Sequence, residues 1–193
     1  MKCIDIHNHF RERGTWVDWA RTTDTFKAGD PDKEVRTVAV AWKPTWAALR
    51  EAYRWGADLF VGHESICVNA VNGSPEPERV FALDTERPKF EWLAESGLTV
   101  YRCHDVWDRF PEIGIRWAWQ EGLELGGEIA VERYPYLVTQ VAPLPLGEFA
   151  RHVLEQIAPL VQNGVLVTGD LERPISRVAT GTGAIDDPLA MFE

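Results

Sequence analysis

Residues 56–66 read GADLFVGHESI and residues 97–108 read GLTVYRCHDVWD. Both follow one plan: a glycine, a short apolar run, then a polar end made of ligand-type side chains. Leu59, Phe60 and Val61 lead into Gly62, His63 and Glu64, while Leu98, Val100 and Tyr101 lead into His104, Asp105 and Asp108. Apolar runs of about four to eight residues, bounded by turn formers, suit buried strands of a parallel sheet. Ligands of open α/β sheets bind beyond the carboxyl ends of the strands. Two neighbouring parallel strands would therefore bring His63, Glu64, His104 and Asp108 to one edge. That is a mixed imidazole and carboxylate set suited to Zn, Mn, Fe or Ni. Asp105 beside them could serve as a general base or hold an imidazole in place.

Outward from there, residues 35–42 (VRTVAVAW) form a strand pattern. Thr45 can cap a helix over 46–54, which Gly56 ends. With the 59–61 strand these make a β-α-β unit of about 30 residues, whose crossover should be right-handed. Residues 69–89 carry Asn69, Asn72, Gly73, Ser74, Pro75, Pro77 and Pro88 around a short apolar piece at 80–83. They leave the His63 strand end as a loop placed to cover a site there. Residues 88–96 read as a helix with Gly97 as its stop, completing a second β-α-β unit on 98–103.

Residues 1–13 allow two readings. Cys3, Ile6, His7 and Phe10 make a helical stripe. The alternative is a strand ending in His7, Asn8 and His9, which is how metal-dependent amidohydrolases begin; two His spaced by one residue grip a metal from an extended strand but diverge on a helix. Residues 14–34 hold the turn formers Gly14, Asp18, Asp24, Gly29, Asp30, Pro31 and Asp32 and read as a surface connection with one short strand. Beyond Asp108, residues 115–123 have helical spacing, and Gly126 and Gly127 mark a boundary. Residues 128–138 read as a strand, 146–160 as a helix and 165–168 as a strand. Residues 175–180 form another strand, followed by Gly181, Thr182 and Gly183, a turn that could also meet a phosphate. His152 reads as a surface side chain.

The expected architecture is therefore α/β: β-α-β units form a mainly parallel or mixed sheet flanked by helices, with a small second β-α-β lobe. The first lobe spans 1–126 and the small lobe 127–172. Residues 173–193 return to the first lobe as a strand and the start of a helix, and the chain is expected to continue past 193. A (β/α)₈ barrel usually needs about 250 residues, more than the 193 here.

Composition narrows the function. The net charge of −10 argues against a non-specific grip on nucleic-acid phosphates. Cys3, Cys67 and Cys103 lack metal-finger spacing and are odd in number. They read as reduced, buried thiols of a cytoplasmic protein. No apolar run reaches the about 18 residues of a membrane span, and no signal pattern opens the chain. Nine tryptophans are present. Trp92, Trp107, Trp117 and Trp119 fall close together in sequence, suggesting a packed or partner-facing surface.

The succession GDPDKEV, ALREAYRWGADLFVGHESI, WLAESGLTVYRCHDVWD, GEFARHVLEQI and ISRVATGTGAI resembles the Nif-three-like dinuclear metal-centre proteins, often labelled GTP cyclohydrolase type 2 homologues. The resemblance runs from about residue 16 to 192. The family's pattern has two adjacent His after the first strand; here they are His63 and Glu64, as in a His-Glu subgroup. Its second motif falls on His104 and Asp108. Its last ligands, a His and a Glu near the C-terminus, have no counterpart within residues 1–193. The resemblance makes residues 1–13 the opening helix. It implies two divalent metal ions per subunit of the complete chain and a two-lobed α/β fold assembled as a toroidal homohexamer. It also implies a metal-dependent hydrolase acting on a nucleotide or another phosphorylated small molecule. Two other readings stay open: a non-catalytic metal-binding or regulatory hexameric scaffold, and an amidohydrolase-like enzyme using His7 and His9.

Overall fold

The computed structural model describes residues 1–67, 83–182 and 188–191. The chain divides into two compact units, Met1–Trp107 and Asp108–Glu193. The first contains helix α1 (Cys3–Arg13), strands β1 (Phe26–Ala28) and β2 (Val38–Ala41), helix α2 (Trp46–Arg54), strand β3 (Leu59–Gly62), helix α3 (Arg87–Ser96) and strand β4 (Thr99–Arg102). A one-turn helix, α4 (Asp105–Asp108), leaves it.

The four strands lie in the order β1-β4-β3-β2. β2, β3 and β4 are parallel, and β1 runs antiparallel along β4. Register explains why the two polar strand ends meet. Leu59 pairs with Thr99 and Gly62 with Arg102, so β3 and β4 finish side by side. The ladder continues past both ends, with Cys103 N–H donating to the Gly62 carbonyl at 2.9 Å. His63 and His104 therefore emerge at the same edge.

Side-chain alternation along β3 divides the core. Phe60 points with Val100 and Leu98 toward Leu49 and Ala52 of α2 and Leu93 of α3. Leu59 and Val61 point with Tyr101 toward Cys3, Ile6 and Phe10 of α1. Burying a side chain of this size is worth roughly 1.5–3 kcal/mol. The apolar stripe on residues 1–13 therefore decides for helix over strand. Asp5 in the first turn and Arg11 and Arg13 in the last suit the helix dipole. The Thr45 side chain caps α2 by accepting from Ala48 N–H. Gly97 closes α3 at φ 66, a left-handed conformation that glycine takes without strain. Cys3 and Cys67 are buried, Cys103 is half-buried, and none of the three is joined in a disulfide among the described residues. Of the tryptophans, Trp92 packs edge-on against Trp46 and Tyr53.

The second unit holds α5 (Ile115–Gly122), β5 (Glu128–Arg133), β6 (Tyr136–Pro145), α6 (Leu146–Ile157), a 3-10 turn at Ala158–Leu160, β7 (Pro174–Gly181) and a second 3-10 turn at Pro188–Met191. Its sheet is antiparallel throughout, in the order β5-β6-β7. Here the structure departs from the sequence reading at several points. Residues 128–138 are not one strand: the chain reverses at Tyr134 and Pro135, and Arg133 pairs with Tyr136. Proline cannot donate to a ladder, and its place inside the run was the available warning. Residues 165–168 are not a strand. Residues 174–181 do not return to the first sheet: β7 pairs with β6, with Leu137 opposite Thr180. The small unit is thus a hairpin, a helix and a third antiparallel strand, and its boundary falls at 107/108 rather than at Gly126 and Gly127. His152 is not simply a surface group, because its Nε2 lies 2.6 Å from the Leu123 carbonyl and donates to it. Most of the expected 69–89 loop, the apolar piece except Leu83, and Gly183 lie outside the described residues. Among the described residues, no helix is long and apolar enough to cross a membrane.

Candidate metal centre

β3 and β4 run straight into the site. Immediately after β3, the N–H groups of His63 and Glu64 both donate to the Trp42 carbonyl, at 3.0 and 2.9 Å. This turns the chain and lays the His63 ring between two others. Trp42 stacks on it at 4.2 Å and 19°, and His104 stacks on its other side at 4.5 Å and 28°.

The His104 side is held by a residue the sequence reading passed over as a turn former. The carboxylate of Asp24, fully buried, accepts N–H bonds from His104 and Asp105 through Oδ1, at 2.8 and 3.0 Å, and from Val106 through Oδ2 at 2.8 Å. These are donors at the start of α4 that have no partner within the helix. Burial pushes the Asp24 carboxyl above its usual range, and the three N–H bonds pull it back.

Among the described residues, one group of His, Cys, Asp and Glu side chains can meet on an ion: His63, His104 and Asp108, with ligand atoms within 4.8 Å of one another. All three are partly buried. Asp108 closes α4, the helix that begins three residues after Arg102 at the end of β4, so both histidines and the helix carrying the carboxylate follow adjoining strand ends. Three of the four expected donors therefore come together. Glu64 does not join them; its Oε2 lies 3.9 Å from the Arg102 guanidinium, whose Nε donates to the His63 carbonyl at 3.0 Å. With the chain turned at this point, the Glu64 side chain lies toward Arg102 rather than with the triad.

His7 and His9 sit on α1, not at a strand end, and belong to no such group. His7 Nδ1 lies 3.0 Å from the Tyr101 hydroxyl. That hydroxyl spends its one proton on the Asp24 carbonyl, at 3.1 Å, so Nδ1 must be the donor. His7 also packs against Trp19 and Phe26, while His9 is exposed. The helix separates the pair on which the amidohydrolase reading depended.

Burial lowers the pKa of His63 to about 4 from 6.5, and the neighbouring His104 adds to the shift. A neutral imidazole is the form that binds metal. The same shift has a consequence for stability without metal. The unfolded chain takes up the proton first as pH falls below 6.5, and the folded chain only near 4. His63 thus costs nothing above about pH 6.5, and stability declines as pH falls toward 4. For a partly exposed ring this amounts to about 2–3 kcal/mol. Urea unfolding of the metal-free protein at pH 7 and pH 4.5 should show a smaller pH loss in His63→Phe than in the wild type. Equal losses would contradict the assignment.

A sequence model of the Duf34/NIF3 (NGG1p interacting factor 3) family matches residues 17–191. A curated relative from Halobacterium salinarum, a "GTP cyclohydrolase 1 type 2 homolog", is 28% identical over 118 residues, which is 59% of this chain and 42% of the relative. The chain thus spans less than half the length of that relative. Among solved structures, a Bacillus cereus protein related to NIF3 aligns with a TM-score of 0.72 at 13% identity, covering 99% of this chain and 79% of that one. The hypothetical protein SA1388 of Staphylococcus aureus aligns with a TM-score of 0.68 at 15% identity, covering 95% and 72%. At those identities the likeness is one of fold.

Proposed function

The chain belongs to the Duf34/NIF3 family, and from that premise we propose that it is a metal-dependent hydrolase acting on a nucleotide or another phosphorylated small molecule. The observation that carries this reading is the convergence of His63, His104 and Asp108 donor atoms within 4.8 Å. Two imidazoles and one carboxylate fit a borderline divalent ion such as Zn, Mn, Fe or Ni. Three protein donors also leave coordination positions open, as catalytic sites do and structural sites do not. A divalent ion held there would act as a Lewis acid toward a phosphoryl or carbonyl oxygen.

The chain's own residues supply the rest. His63 stays neutral at physiological pH, the form of imidazole that binds metal. Trp42 covers one face of its ring. Asp108 brings the negative charge that offsets the cation. The described donors provide for one ion; a second ion would need groups beyond this triad. Homohexameric assembly, which rests on the family likeness, and a cytoplasmic location, which rests on reading the cysteines as reduced thiols, belong to the same proposal.

The test is release of product from GTP and from simple phosphate esters by the protein loaded with Mn or Zn, compared with His104→Ala. Turnover in the wild type that is lost in the variant supports the hydrolase. Metal binding without turnover of any of these compounds would overturn it in favour of a non-catalytic metal-binding scaffold.

A further inference from the structure

We propose that Asp105, itself held by Thr22, is a positioning residue of this centre: it fixes the His104 imidazole with a proton on Nδ1, so that Nε2 is the nitrogen offered to a divalent cation. The proposal rests on the metal reading of the site and adds to it the group that orients a ligand.

Three hydrogen bonds fix the direction of every proton. The Asp24 N–H donates to Thr22 Oγ1 at 3.0 Å. Thr22 Oγ1 has a single proton of its own and gives it to Asp105 Oδ2 at 2.7 Å. The carboxylate is thus an acceptor at that oxygen, and an ionised carboxylate is an acceptor at both. Its Oδ1 lies 3.0 Å from His104 Nδ1, so this nitrogen must carry hydrogen. The lone pair is left on Nε2, on the far side of the ring. A carboxylate on the second nitrogen of a ligating imidazole sets its tautomer and raises its basicity.

The geometry also decides between the two roles open to Asp105. Each of its oxygens already accepts a bond within the protein, and it is not part of the group of mutually close ligand atoms. It acts through His104. Its backbone is anchored as well, because Asp105 N–H donates to the buried Asp24 carboxylate. Thr22 and Asp24 lie two residues apart on the connection before β1, so one short stretch holds both the backbone and the side chain of Asp105.

The experiment is zinc titration by calorimetry of wild type, Asp105→Asn, Thr22→Val and His104→Ala, with ¹⁵N NMR of the histidine tautomers in the metal-free proteins. Asp105→Asn should weaken zinc binding about 10–100-fold, with Thr22→Val losing less. The metal-free wild type should show His104 protonated on Nδ1, and Asp105→Asn should shift it toward the other tautomer. Thermal melting of each variant identifies any loss that is simply unfolding. Zinc binding and tautomer both unchanged in a folded Asp105→Asn would overturn the proposal. A wild type that binds zinc no better than His104→Ala would overturn the metal reading instead, and the tautomer measurement would still judge the positioning role.

Discussion

Asp24→Ala is expected to cost about 3–5 kcal/mol of folding stability, a loss at the upper end for single substitutions. The reason is arithmetic on hydrogen bonds. The buried Asp24 carboxylate accepts from three consecutive backbone N–H groups, those of His104, Asp105 and Val106. Alanine leaves all three donors without that acceptor in a turn that is buried at Val106 and partly buried at His104 and Asp105, and each unsatisfied buried group costs about 1–3 kcal/mol. Relief of the buried charge returns part of this, which is why the sum is not larger. Asp24→Asn should cost less, because its remaining oxygen can still accept from His104 and Asp105 while its amide faces Val106 N–H. The order of stabilities wild type, then Asn, then Ala, measured by urea unfolding at pH 7, checks this. Equal stability of wild type and alanine variant would show that the turn before α4 does not depend on Asp24. Because the same turn aims His104, the alanine variant should also lose zinc affinity even where it remains folded.

Much of the first unit could be read from residue order. The apolar runs at residues 59–61 and 98–101, the glycine stops and the Thr45 cap are local signals, and each lies where the structure uses it. The two strand ends meet because parallel strands in register finish together, which follows once both runs are taken as neighbours. What local pattern does not carry is the direction of individual side chains after a strand ends. Glu64 therefore read as a donor, yet it faces Arg102. Asp24 was hidden for a different reason. Its partners lie about 80 residues later in the chain, and an aspartate in a threonine-rich connection looks like any turn former. The second unit was misread where pairing is non-local. The strand at 174–181 has an ordinary strand pattern, and nothing in that pattern says which sheet it joins. The Tyr134-Pro135 reversal, by contrast, was legible, since a proline inside a proposed strand argues against it.

Removing either imidazole of the triad should abolish the centre. With His63→Ala or His104→Ala, one of three protein donors is gone, and zinc affinity should fall by more than about 100-fold, beyond the loss typical of a supporting residue. Asp108→Asn should weaken binding as well, because it removes the one carboxylate charge among the described donors. Glu64→Gln should change zinc affinity little, since Glu64 lies outside the group of converging donors. His7→Ala should leave affinity unchanged too, because His7 is committed to Tyr101. A pattern in which Glu64→Gln or His7→Ala matched the loss in His104→Ala would place the ion elsewhere.

The most direct measurement is an anomalous difference map from crystals of the protein grown with zinc, collected on both sides of the zinc absorption edge. The structure predicts one strong peak bonded to His63, His104 Nε2 and Asp108. A peak at His7 and His9 or on Glu64 alone, or zinc-loaded crystals with no peak between the ends of β3 and β4, would contradict it.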